Sequence, residues 1–154
     1  MLLKPTYYFK IQINGPPLPR GVRKAALAVA IISIIDDDAS VRAAADNLLS
    51  SHGYVVHTFA SAEDFLRSAF LDDSSCVVAD VQMPGMSGLE LLTIVRKRGN
   101  GTPFIFITAF PNESVRARAV KAGADGILDK PFSSPVLIDC IETALTRDRR
   151  GLGQ

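Results

Sequence analysis

The 154-residue sequence has only two cysteines and no apolar run long enough to span a membrane. Cys76 and Cys140 have neither the number nor the spacing of a disulfide framework or a zinc site, so we interpret both as core thiols in a reducing compartment. The apolar stretch 25–35 follows a basic leader and imitates a secretory signal, but its Ala-x-Ala triplet lies inside the apolar run rather than after it. The sequence therefore predicts a cytoplasmic protein without membrane contact.

Acidic residues are absent from the first 32 positions, which carry five basic residues. The rest of the chain has 17 − 5 = 12 basic against 16 acidic residues, a net charge of −4. A nucleic-acid-binding module is expected to carry a basic stripe on its folded part. We therefore expect no direct nucleic-acid binding by this chain.

Proline and glycine are frequent in the first part of the chain, so we predict residues 1–27 to be an irregular leader or extension. Residues 28–147 are predicted to form one domain, and the polar, glycine-containing residues 148–154 a tail or linker stub. No internal repeat is present. The organisation is thus one domain between two short flanking segments.

From residue 28 onward, short apolar runs alternate five times with stretches at helical spacing, which is typical of a parallel α/β sheet. The runs are nearly continuously apolar, as strands covered on both faces should be. The predicted strands are Ala30–Ile35, Tyr54–Thr58, Cys76–Asp80, Phe104–Thr108 and Gly126–Leu128.

Capping signals delimit the five predicted helices. Ser87 and Glu90, three residues apart, form a capping box before the third helix. Ser61 is predicted to cap the second helix, whose apolar face reaches Ala69, and Gly123 to end the fourth.

Polar residues follow four of the predicted strands, at the edge where open α/β sheets bind ligands. Each has an ordinary explanation taken singly: an aspartate run can cap a helix, and the others can be turn or solvated loop residues. Unrelated turn residues need not all fall at carboxyl ends, so we interpret them as one site. They are Asp36, Asp37, Asp38, Asp80, Thr108 and Lys130.

A cation is required where carboxylates gather, because two of them about 5 Å apart repel by roughly 3 kcal/mol at an effective dielectric near 20. Lys130 supplies one charge, and an all-oxygen donor set favours Mg²⁺, with Mn²⁺ as the alternative. His52 and His57 are predicted to lie away from this edge. Between Mg²⁺ and Lys130, and with Thr108 donating a hydrogen bond, Asp80 could attack a phosphoryl group and become an aspartyl phosphate.

These residues resemble the receiver domains of two-component response regulators over about residues 30–147. The motifs are IIDDD, ADVQMPGMSGLELL, FITAF and KAGADGILDKPF. The segments MSGLELL and LDKPFSS are most similar to the FixJ/LuxR-type group, whose members usually have a helix-turn-helix after the receiver. The resemblance implies a flavodoxin-like (βα)5 fold, a doubly wound five-stranded parallel sheet in the order 2-1-3-4-5.

The resemblance also implies a role for each residue of the site. Asp36, Asp37, Asp80 and the main-chain carbonyl of Gln82 would hold Mg²⁺. Asp80 would accept the phosphoryl group from a sensor histidine kinase.

The resemblance also implies which residues respond to phosphorylation. Thr108 and Lys130 would contact the phosphoryl group, and the Lys130–Pro131 peptide would be cis. Gln82 and Phe110 occupy positions that tune the lifetime of the phosphorylated state. Ile127 stands where many relatives have an aromatic switch residue.

The resemblance implies that phosphorylation repacks the face made by the fourth helix, the fifth strand and the fifth helix, through which a homodimer could form. The output would be a partner protein, as in CheY-like regulators, or a transcription-regulating domain. The chain itself is predicted to be a signalling switch, not an enzyme acting on outside substrates.

Two alternatives remain open. A phosphohydrolase of the haloacid-dehalogenase type needs a second aspartate two residues after the nucleophile, where this sequence has Gln82. A pseudo-receiver would keep the fold without taking phosphate, and usually lacks the acceptor, the acidic pair or the lysine, all of which are present here.

Overall fold

The computed structural model describes residues 29–152, with side chains through residue 147. The predicted leader, residues 1–27, lies outside the described residues, as do the side chains of the predicted tail, 148–154. Among the helices in the described range, none combines the length and apolar character needed to cross a bilayer.

The described strands form one parallel sheet in the order β2-β1-β3-β4-β5. The central strands β1, β3 and β4 are buried along their whole length because helices cover both faces, whereas the edge strands are partly exposed. This arrangement confirms the predicted flavodoxin-like sheet, and each strand bound lies within one residue of its prediction. The strands are β1 (Ile31–Ile35), β2 (Val55–Phe59), β3 (Cys76–Asp80), β4 (Phe104–Thr108) and β5 (Gly126–Asp129).

The described part of the chain has six helices, one more than predicted; five lie between strands and the last follows β5. They are α1 (Ala39–Ser51), α2 (Ala62–Arg67), α3 (Phe70–Asp73), α4 (Gly88–Lys97), α5 (Glu113–Ala122) and α6 (Ser134–Leu152). The predicted fourth and fifth helices are therefore α5 and α6. The predicted third helix is α4, and its capping box between Ser87 and Glu90 is present with both hydrogen bonds.

The extra helix α3 arises because α2 ends earlier than its apolar pattern indicated. Ser68 has an extended backbone and its hydroxyl donates to the carbonyl of Phe65, which closes the helix. Ala69, predicted on the apolar face of α2, is consequently exposed. The chain then forms the short α3, which buries Leu71.

Helix α6 continues past Arg147, where the sequence predicted the tail to begin, and ends at Leu152. Between Pro135, in its first turn, and Gly151 the sequence contains neither proline nor glycine. A polar segment without such residues can continue a helix that is already nucleated.

The core consists of two apolar layers, one on each face of the sheet. One layer packs α1 and α6 against the sheet and includes Leu49, Ile105 and Ile141. The other packs α2, α3, α4 and α5 and includes Phe65, Leu92 and Phe106. Cys76 is buried and Cys140 half-buried, and both are free thiols, in agreement with the interpretation as core residues. The carboxyl ends of β1 and β3 therefore lie between the two layers.

Candidate functional site

The site lies where the chain leaves β1 and β3, two neighbouring central strands. The helix after β1, α1, packs on one face of the sheet, while the helix after β3, α4, packs on the other. The chain therefore diverges at the carboxyl ends of these strands and leaves a crevice there. Asp36 follows β1 and Asp80 ends β3, so both carboxylates lie at this crevice.

Three aspartates meet at the crevice. Asp36, Asp37 and Asp80 each offer a carboxylate oxygen, and these oxygens lie within 4.8 Å of one another. Asp36 is fully buried, Asp80 is 7% exposed, and Asp37 is open to solvent. Asp38 does not join them, because its carboxylate accepts from the amide of Ser40 and caps α1. The helix-cap explanation thus holds for one residue of the aspartate run.

Lys130 brings a positive charge to the cluster from the end of β5. Its Nζ lies 2.9 Å from Asp36 Oδ2 and 3.1 Å from Asp80 Oδ2. Burial alone would lower the pKa of Lys130, but the contacts with Asp36 and Asp80 outweigh it and raise the pKa. The ammonium group therefore stays protonated and holds the two carboxylates together.

Burial raises the pKa of Asp80 above its usual range. Hydrogen bonds from Lys130 and from the amide of Gln82 act in the opposite direction without cancelling the effect of burial, and the nearby Asp36 raises the pKa further. The charge on Asp80 is thus less well solvated than that of an ordinary surface aspartate.

The donor set fits a hard divalent cation. All three carboxylates offer oxygen, and one ammonium group leaves the cluster short of positive charge. The buried Oδ2 of Asp36 has Lys130 Nζ as its neighbour at 2.9 Å, and a carboxylate oxygen with one such partner keeps a lone pair for a cation. The chemistry of this acidic cluster suits Mg²⁺ or a similar hard ion.

Thr108 and Gln82 flank Asp80. Thr108 ends β4, next to β3, and is 1% exposed; its hydroxyl oxygen accepts from the amide of Phe110 at 3.0 Å. The amide of Gln82 donates to Asp80 Oδ1 at 3.1 Å, while its side chain is exposed. The structure therefore places both on the same edge of the sheet as Asp80.

The remaining predicted positions surround this centre. Phe110 is 63% exposed, and Ile127 is half-buried in β5, where it packs against the core. The Lys130–Pro131 peptide is cis. His57 stacks on Phe70 at a centroid distance of 3.7 Å in the edge strand β2, away from the crevice.

Three residues with contacts to the site were not predicted. Arg42 donates to the main-chain oxygen of Asp36 at 2.6 Å. A Cβ on Gly88 would overlap the main-chain oxygen of Asp80, so the start of α4 lies directly against the end of β3. Glu63 accepts from the amide of Met86, in the loop after β3. Each contact involves a main-chain atom, so no side-chain pattern in the sequence points to it.

Residues 32–142 match the family described as the response regulator receiver domain. The chain is 38% identical over 131 residues to nodulation protein W of Bradyrhizobium diazoefficiens, covering 85% of this chain and 58% of that protein. It is 40% identical over 118 residues to the transcriptional regulatory protein TdiR of Thauera aromatica, covering 77% and 52%. The crystal structure of FixJ-N matches at a TM-score of 0.69 with 36% identity, covering 76% of this chain and 94% of that one.

The matches also show how much of each relative this chain covers. The chain spans about half the length of these two curated relatives. The matched segment contains every residue of the crevice, from Asp36 to Lys130. The chain therefore belongs to the response regulator receiver domain family.

Proposed function

We propose that Asp80 accepts a phosphoryl group in a Mg²⁺-dependent reaction and that the chain acts as a phosphorylation switch in two-component signalling. The observation that carries this proposal is the convergence of Asp36, Asp37, Asp80 and Lys130 in one crevice. The family match supports the same role. The test is the intact mass of the chain after incubation with acetyl phosphate, with Mg²⁺ and with chelator; a gain of one phosphoryl group only with Mg²⁺ is expected.

Asp36, Asp37, Asp80 and the main-chain carbonyl of Gln82 are the proposed metal ligands. When bound, Mg²⁺ supplies positive charge that offsets the repulsion between the carboxylates and the incoming phosphoryl oxygens. Mn²⁺ meets the same oxygen-donor requirement.

The chain's own residues then orient the reaction. The amide of Gln82 fixes Asp80 Oδ1, and Lys130 approaches Oδ2. Because the Thr108 hydroxyl oxygen accepts from Phe110, its proton remains available to an oxygen of the phosphoryl group. With a phosphohistidine donor, an oxygen–phosphorus bond forms on Asp80 as the nitrogen–phosphorus bond breaks, leaving imidazole.

The chain is proposed to catalyse its own phosphorylation and slow dephosphorylation, without turning over outside substrates. The residue two positions after Asp80 is Gln82, whose amide side chain cannot shuttle a proton to a leaving group. Gln82 and the exposed Phe110 are the proposed determinants of the lifetime of the aspartyl phosphate.

A sensor histidine kinase is the proposed donor, and a groove beside Lys130 is its proposed docking surface. This groove, here called the α1 groove, has a volume of about 570 Å³ and is mainly apolar. Because Lys130 belongs to both the groove and the acidic cluster, a protein seated there lies next to Asp80. The lining includes Val41, Ala44, Leu48, Ala109 and Phe132.

Ala44→Glu should separate kinase-dependent from small-molecule phosphorylation. A charge in an apolar docking surface is expected to slow transfer from a phosphorylated histidine kinase about tenfold or more. The rate with acetyl phosphate should stay unchanged because the substitution lies outside the acidic cluster. Ala43→Glu is the matched control: Ala43 is also exposed on α1 but does not line the groove. Equal transfer rates for the two variants would contradict the docking surface.

The output is proposed to pass through the face made by α5, β5 and α6, with Ile127 in place of an aromatic switch. Val120 and Val136 are 70% and 48% exposed on α5 and α6, and Arg116 pairs with Asp129 between α5 and the end of β5. Apolar groups bordered by charges suit a homodimer contact. Phosphorylation should therefore raise the sedimentation coefficient of the wild type but not of Asp80→Asn; an unchanged wild-type value would contradict dimerisation.

The cellular setting is proposed from the same features. Two free thiols suit the reducing cytoplasm, where a histidine kinase would meet this chain. The relative TdiR is called a transcriptional regulatory protein, and control of transcription by a partner or further domain is the corresponding proposal here.

A further inference from the structure

We infer that Glu63 is a positioning residue for the phosphorylation site, because its carboxylate holds the loop that carries Gln82. This loop, residues 81–87, connects β3 to α4 and is here called the acceptor loop. The inference rests on the proposed function, since it assigns Glu63 a part in the Mg²⁺ and phosphoryl chemistry of Asp80.

Glu63 reaches the acceptor loop from the first turn of α2. Its Oε2 accepts from the amide of Met86 at 3.1 Å, across 23 positions of sequence. At the ends of the loop, the amide of Gln82 donates to Asp80, and the amide of Gly88 donates to the carbonyl of Val81. The contact with Glu63 therefore adds an anchor from a separate element near the far end of the loop.

Gly85 allows the close approach of this carboxylate. Its φ of +78° is a conformation that favours glycine, and a Cβ at this position would lie 2.6 Å from Glu63 Oε2. Any larger residue would therefore have to displace the carboxylate from the loop. Gly85 and Glu63 form one steric unit.

The other oxygen, Glu63 Oε1, is buried and has no hydrogen-bond partner among the described residues. A buried acceptor without a partner lowers stability, so the carboxylate is not an optimal choice for packing alone. The hydrogen bond that Oε2 accepts from Met86 instead fits a role in fixing the geometry of the loop.

Loop fixation bears on Mg²⁺ affinity. The proposed ligand from this segment is a main-chain carbonyl, whose position depends on the backbone of the loop rather than on a side-chain rotamer. If the loop is ordered before the ion arrives, binding does not have to pay for ordering it. Loss of the anchor should therefore weaken Mg²⁺ binding more than it slows phosphoryl transfer at saturating Mg²⁺.

The test compares Glu63→Ala and Glu63→Gln by calorimetric titration of the full chain with Mg²⁺ and by phosphorylation with acetyl phosphate over a Mg²⁺ series. Glu63→Ala should raise the dissociation constant and the half-saturating Mg²⁺ concentration roughly five- to tenfold, with the saturating rate within about twofold of wild type. Glu63→Gln should restore most of the affinity, because its amide oxygen still accepts from Met86.

Asp64→Ala is the matched control, since Asp64 is the next residue on α2 and its carboxylate pairs with Arg67 on the exposed surface, away from the acceptor loop. It should leave Mg²⁺ affinity at the wild-type value. Equal affinities for Glu63→Ala and Asp64→Ala would overturn the inference. Equal impairment of Glu63→Ala and Glu63→Gln would also overturn it, because charge rather than the hydrogen bond would then matter.

Gly85→Ala provides a second route should Glu63→Ala fold poorly. As a single substitution, Gly85→Ala should weaken Mg²⁺ binding as Glu63→Ala does, because the new methyl group displaces the carboxylate of Glu63. In the double variant with Glu63→Ala, Gly85→Ala should lower the Mg²⁺ affinity by less than it does alone. Full additivity of the two losses would contradict the steric link between Gly85 and Glu63.

If the wild type is not phosphorylated on Asp80, the proposed function fails. If the wild type is phosphorylated and Glu63→Ala behaves as the wild type does, only this inference fails.

Discussion

Asp80→Asn is expected to remove all Mg²⁺-dependent gain of a phosphoryl group while leaving the fold intact. Asparagine has nearly the same shape as aspartate. In the wild type the amide of Gln82 donates to Asp80 Oδ1, and the side-chain oxygen of asparagine can accept the same hydrogen bond. It lacks the negative oxygen that attacks phosphorus. Intact mass after incubation with acetyl phosphate, with and without Mg²⁺, measures the loss.

Asp64→Asn is the control for this substitution, because Asp64 is an exposed aspartate that pairs with Arg67 away from the cluster. It should gain the phosphoryl group as the wild type does. Phosphorylation of Asp80→Asn at the wild-type level would mean that another residue is the acceptor. A wild type that gains nothing under any condition would instead favour the pseudo-receiver alternative.

Asp80→Asn should also unfold at a higher temperature than the wild type when chelator is present at neutral pH. Burial raises the pKa of Asp80, so its ionised form is less favourable in the folded chain than in the unfolded chain. At neutral pH the group is ionised in the unfolded chain, and this penalty is present in the wild type alone. Activity and stability should therefore change in opposite directions.

The second large effect is expected for Lys130→Met, which removes the ammonium group but keeps much of the aliphatic volume. Asp36 and Asp80 would be left buried next to each other without their shared cation. Removing one partner of a buried ion pair typically lowers the free energy of unfolding by about 3 kcal/mol or more. Urea unfolding in chelator, with the wild type in parallel, measures this loss.

Mg²⁺ should recover part of the stability of Lys130→Met, because a divalent ion also compensates the carboxylates. Phosphorylation should nevertheless remain far below the wild-type rate, since Lys130 is the proposed partner of the phosphoryl group itself. Lys121→Met, on the exposed surface of α5, should change neither quantity. Unchanged unfolding of Lys130→Met in chelator would show that the contacts at 2.9 and 3.1 Å contribute little.

Much of the fold was predictable because its signals are local. Continuous apolar runs mark the strands, and the alternation with helices implies a parallel sheet, so the strand bounds were correct to within a residue. The end of α2 was not predictable from periodicity, because it depends on the hydroxyl of Ser68 turning back to Phe65 rather than on a change in apolar spacing.

The site likewise contains residues that the sequence predicted and a contact that it did not. The sequence allowed Asp36, Asp37, Asp80 and Lys130 to be grouped because each lies at the carboxyl end of a strand in one parallel sheet. The structure brings them together. The contact between Glu63 and Met86 could not be anticipated, because the donor is a main-chain amide, which every residue except proline possesses.

The contact between Gly88 and the main chain of Asp80 matters for anyone who exchanges parts between receiver domains. A transplanted α4 brings its own first residue, and any side chain there would push on the main chain of Asp80 in β3 and on the ring of Phe106. The end of β3 with Asp80 and the first turn of α4 must therefore match each other, so a chimaera should take both segments from the same parent.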